Sequence, residues 1–139
     1  MDIRVRRGLI LVGLLAGCST ATTPAVTAWQ ATLAPVLPHD PLNGNVAVVS
    51  EHDRLNASIQ VDNAPAGMVL TWQLRTGACD ESGDILGGRA VYPELSADSV
   101  GSATVETVVD RSLHSGGQYH ASVFNTSDTL LACGELQQQ

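Results

Sequence analysis

There is no lysine in this 139-residue chain, and its aromatic residues are two tryptophans, two tyrosines and one phenylalanine. Beyond residue 17 the only fixed cations are Arg54, Arg75, Arg89 and Arg111. They stand against thirteen acids, which leaves a net charge of −9 with histidine neutral. Such a surface repels phosphate backbones and anionic lipid headgroups, which argues against nucleic acid as a partner. No apolar run approaches the roughly 20 residues that span a bilayer as a helix. No Cys-x-x-Cys, His-x-His or His-x-x-x-His spacing marks a metal centre. No serine stands in a Gly-x-Ser-x-Gly elbow. No stretch sustains a 3.6-residue apolar period with caps, and no internal repeat is visible.

What is present begins with an address. Residues 1–7 carry Arg4, Arg6 and Arg7, and residues 8–17 are apolar and small. A basic segment before a short apolar one is a secretory signal. It ends in Leu15-Ala16-Gly17-Cys18, the pattern of a lipobox. The small residues let the chain enter a peptidase in extended form, and the thiol accepts a diacylglyceryl group. The segment predicts a signal peptide over 1–17, cleavage before Cys18, and acyl chains such as palmitate held through that cysteine. Each buried methylene contributes roughly 0.8 kcal/mol, and two or more chains anchor stably where one does not. Ser19, not Asp, follows the cysteine. In a Gram-negative organism that implies the periplasmic face of the outer membrane. The expected location is the cell envelope, with the N-terminal lipid as the link to the membrane.

Residues 18–28 are small, threonine-rich and interrupted by Pro24, which reads as an extended tether. The domain is expected over 29–139. The 122 residues of Cys18–Gln139 suit one domain. With Cys18 taken by lipid, Cys79 and Cys133 remain. An even pair in an exported chain reads as a disulfide, against the alternative of two free thiols.

The domain reads as short strands with turn punctuation. Leu55, Ala57, Ile59 and Val61 alternate with Asn56, Ser58 and Gln60, and Gly101–Val109 alternates in the same way. Further strands are expected at 29–33, 45–49, 69–75, 118–125 and 129–133. Turns are expected at 50–54, 64–67 and 115–117, and a glycine-containing loop at 79–88. The expected fold class is all-β, a Greek-key antiparallel β-sandwich or flattened barrel.

Several residues carry two readings. His39, His52, His114 and His120 read as four separate surface histidines, with a weak metal site at His52 and a nearby acid as the alternative. Asp80, Glu81 and Asp84 read as a solvated loop, or as a loose calcium site of hard oxygens. Trp29 and Trp72 read as core side chains, with carbohydrate stacking as the minor alternative.

Four segments together resemble the copper/zinc superoxide dismutase-like and CHRD-type families. Thr71-Trp72-Gln73-Leu74-Arg75-Thr76-Gly77-Ala78-Cys79 resembles Trp-His-Ile-His-x-Gly-x-Cys. Ala90-Val91-Tyr92-Pro93-Glu94-Leu95-Ser96-Ala97-Asp98, with Gly101 after it, resembles Tyr-Pro-x-Leu-x-Ala-Asp. Gly116-Gly117-Gln118-Tyr119-His120-Ala121-Ser122-Val123-Phe124 resembles Gly-x-Tyr-x-x-x-Val-His. Leu131-Ala132-Cys133-Gly134-Glu135-Leu136 resembles Ile-Ala-Cys-Gly-x-Leu. Each is weak alone, and the order of the four, covering about 29–136, is what carries the resemblance. It implies a superoxide dismutase-like sandwich, with a Cys79–Cys133 bridge tying the loop after one strand to the last strand.

The departures from the family decide the functional expectation. Copper cycling between two redox states needs imidazole ligands. Where the resembling families carry histidine, this chain has Gln73, Arg75 and Phe124. Arginine neither loses its proton nor tolerates a neighbouring cation. The family's long metal-binding loop is also missing, since 12 residues separate Cys79 from Tyr92. Gln73, Arg75 and Phe124 are therefore read as a vestigial site with no metal and no cofactor. Arg75 either pairs with Asp80 or Glu81 or offers its donors to a small anion or a partner's carboxylate. The expected protein is a non-catalytic envelope lipoprotein whose sandwich is a binding or structural module, with a small anion or an envelope protein as partner. The alternatives are a divergent metal-binding or redox protein and a residual superoxide dismutase.

Overall fold

The computed structural model describes residues 17–20 and 25–139. The expected signal segment, apart from Gly17, and residues 21–24 of the tether lie outside the described residues. Cys18 is exposed, with a free thiol. No helix among the described residues is long and apolar enough to cross a membrane.

Among the described residues nine strands form: β1 (Val26–Pro35), β2 (Asn43–Glu51), β3 (Arg54–Asp62), β4 (Val69–Thr76), β5 (Leu95–Ser96), β6 (Ala103–Val109), β7 (Tyr119–Asn125), β8 (Leu130–Glu135) and β9 (Gln137–Gln138). The period-two alternation produces them. In β3, Leu55, Ala57, Ile59 and Val61 are buried while Asn56 and Gln60 face out. β1 begins three residues before the expected start of the domain at Trp29. Val26 and Thr27 already pair with Glu51 and Ser50, because β2 is long enough to receive them and β-branched residues suit a strand.

Every pairing is antiparallel, in the order β5-β4-β7-β8-β1-β2-β3-β6, with β9 following β8 along the flank of β1 that faces away from β2. The connections β3→β4 and β6→β7 both cross between the two halves, as in a Greek key. β1 joins the halves. It pairs with β2 along most of its length and with β8 at Ala34 and Pro35. β5 and β6 approach without forming a ladder, so the sheet is nearly closed into a flattened barrel.

The core lies between the two layers. Trp29 and Trp72 are both inside, at 2% and 1% exposure, so neither offers a stacking surface. Trp29 meets Tyr119 edge-on at 5.6 Å, and Trp72 meets Tyr92 at 5.0 Å. The Trp72 indole donates to Pro93 O at 2.9 Å, and the Tyr92 hydroxyl donates to Leu86 O at 2.6 Å. Asp98 Oδ1 accepts from the Val100 and Ser102 amides, which holds its carboxyl below the usual carboxylate range. Gly101 (φ 84°) lies directly on the Ala64 backbone, where a Cβ has no room. The segment 92–101 is therefore tied into the architecture at both ends.

Burial pushes the Tyr92 phenol from 10.0 up to about 12. The unfolded chain releases this proton near the ordinary value, while the folded chain keeps it. The contribution is thus fully present below pH 10.0 and is lost as pH rises towards about 12. Urea midpoints measured across that window should fall with pH, and Tyr92→Phe should fall less steeply. Equal slopes would refute the assignment.

Candidate functional site: the covered outer face of β4, β7 and β8

Leu70, Trp72 and Leu74 of β4 point into the core, which turns Thr71, Gln73 and Arg75 outward. In β7 the inward set is Tyr119, Ala121 and Val123, and the outward set is His120, Ser122 and Phe124. The register sets Arg75 opposite His120, Gln73 opposite Ser122 and Thr71 opposite Phe124. On β8, Cys133 follows beside Ser122 and Glu135 beside His120.

This outer face is not open. Gln73, Ser122 and His120 are only 4%, 3% and 1% exposed. The cover is the segment that follows β4. Gly77 O receives the His120 ring, Cys79 is bonded to Cys133 with Cα atoms 6.0 Å apart, and Ile85 bridges back to Arg75. Gly83 packs on the Thr76 carbonyl so tightly that no side chain fits there. The Cys79–Cys133 disulfide is thus a strap that holds a loop over the sheet.

The structure brings Gln73, Arg75 and Phe124 together. Arg75 Nε donates to Gln73 Oε1 at 2.9 Å, and Arg75 Cζ lies 5.8 Å from the Phe124 ring centroid, in cation–π contact. Arg75 does not pair with Asp80 or Glu81. The Glu81 carboxylate instead accepts the Ala78 amide at 3.2 Å, closing its own turn. Among the described residues the one ion pair is Arg89–Asp128 at 3.3 Å, on the surface. Beyond Gln73, Arg75 has only a long contact of 3.5 Å from Nη1 to Gly83 O. The guanidinium therefore keeps donors free and forms no ion pair.

His120 is not a surface histidine. Its Nδ1 lies 2.8 Å from Gly77 O. A carbonyl only accepts, so Nδ1 carries a proton. The sequence signal for this burial was Phe124, an apolar ring on the same strand face two positions beyond Ser122, which marks that face as covered. His39 and His52 sit in turns with φ of 68° and 53°. His52 and His114 are not separate, since they line one shallow groove with Ser50 and Ser112. Among the described residues no three His, Cys, Asp or Glu side chains come together to hold a metal, the 80–84 loop included.

The chemistry available at the face is narrow. Ser122 Oγ lies 3.8 Å from Cys133 Sγ, and that sulfur is spent in the disulfide. What remains is a planar cationic fork beside an amide and a phenyl ring, suited to an anion and not to a cation.

No protein-family model matches this chain, and no curated protein matches it.

Proposed function

We propose that this protein is a metal-free, non-catalytic lipoprotein of the cell envelope, whose superoxide dismutase-like sandwich works as a binding or structural module. The observation that carries the reading is Arg75, which lies over Phe124 and is bonded to Gln73 where the resembling families place copper ligands. A fixed cation at that point raises the free energy of any bound metal ion. The same group accepts a small anion or a partner's carboxylate through its free N–H donors. Metal analysis and a dismutase assay on full-length protein purified without chelator test the reading. Less than one copper or zinc per several chains and no dismutation are the expected results. Stoichiometric copper with turnover would establish the redox alternative.

The basic start, the short apolar segment and Leu15-Ala16-Gly17-Cys18 support the anchoring. Cys18→Ser should lose all lipid label and leave the membrane fraction. A Cys18→Ser chain still labelled and processed as before would end this part of the proposal.

A further inference from the structure

The opposite layer carries a different surface. Among the described residues, two open depressions of about 660 and 600 Å³ lie on the outward face of β1, β2, β3 and β6. They share Ala47 and Ser58, so they form one trough across the strands. The register aligns Thr32, Asn45, Gln60 and Thr104 in one row and Gln30, Ala47, Ser58 and Glu106 in the next.

We propose that this trough binds a neutral, hydroxyl-rich polymer, a polysaccharide strand lying across the sheet. Hydrogen-bonding capacity is the first support. Gln30, Thr32, Asn45, Ser58, Gln60 and Thr104 each present a donor and an acceptor, as sugar hydroxyls do. Of these six only Gln60 spends its side chain on the protein, donating to Asp62 at 3.2 Å. Charge is the second. The trough holds no cation, and its only acids are Glu106 and Glu135. Phosphorylated or sulfated chains find nothing to pair with, and a strongly basic partner finds little. The third is an apolar strip along one side, formed by Ala47, Val49 and Val108, with the two valines 41% and 51% exposed. It suits the C–H faces of sugar rings. A protein partner would call for aromatic anchors in a desolvated centre, and this face has none. With both tryptophans in the core there is no aromatic stacking platform, so binding through amides, hydroxyls and this aliphatic strip is weak.

Isothermal titration of the full chain in detergent with soluble cellohexaose, maltohexaose and chitohexaose tests this. Saturable binding of at least one, in the millimolar range or tighter, is expected. It should change by less than about twofold between low and high salt, since no ion pair forms. Asn45→Ala with Gln60→Ala should weaken it at least about tenfold. Both side chains are exposed, so an unchanged thermal melt checks the fold. Arg89→Gln, outside the trough, should leave it unchanged. Four results would overturn the proposal: no binding across the panel, binding confined to sulfated dextran, a double variant equal to wild type, or a sedimenting dimer that Val49→Arg dissociates.

Discussion

Cys79→Ser combined with Cys133→Ser should lower the unfolding free energy by about 4 kcal/mol, and reduction of the native chain should do the same. The bond joins residues 54 apart, and closing a loop of that length removes about 4 kcal/mol of chain entropy from the unfolded state. A domain of this size has roughly 5–15 kcal/mol in total, so the loss takes between about a quarter and most of it and should lower the thermal midpoint sharply. The loss has a local counterpart. Without the strap, the segment after β4 keeps Ile85 on Arg75 and the Gly77 carbonyl on His120 only by backbone and ring contacts. Amide exchange at 77–86 should rise before the global transition. A double variant within about 1 kcal/mol of wild type, with the same exchange pattern, would show that the cover stands without its disulfide.

Gln73→His, Arg75→His and Phe124→His together should create copper affinity at least about a hundredfold above wild type, each factor of ten being about 1.4 kcal/mol. Any one of the three alone should gain little. Gln73 and Arg75 share a strand face, and the guanidinium already spans the distance to the Phe124 ring. The change removes a fixed positive charge and supplies three imidazoles, the ligand type copper favours. Equilibrium dialysis with Cu(II), with folding checked by near-ultraviolet circular dichroism, gives the result. A folded triple variant that binds no more copper than wild type would separate this face from the geometry of the resembling families.

Alternation made much of this molecule legible. β3 and β6 could be read from their side chains because one face is buried and the other wet. Gln73 and Arg75 were assignable to one face by their two-residue spacing alone, although that face is covered and not wet. The position of Phe124 beside them required the β4–β7 register, which no local pattern carries. His120 was misread because β7 is buried on both faces, and the second cover comes from a loop more than thirty residues away in sequence. Proximity in sequence offered Asp80 or Glu81 to Arg75 as one of two readings, yet Glu81 turns to its own Ala78 amide. β9 has no apolar pattern at all. Its glutamines are held by backbone pairing to Trp29 and Gln30, a tertiary event that composition does not announce.

β1 is the strand that first receives any pull applied through residues 18–25. Force entering at Val26 runs along the strand axis, and the eight positions paired with β2 share it in shear instead of opening one after another. At its far end β1 is also paired to β8 through Ala34 and Pro35, so the load passes into the second layer. A domain held from that side should resist extension far better than one pulled at right angles to the same strand, where the rungs break singly.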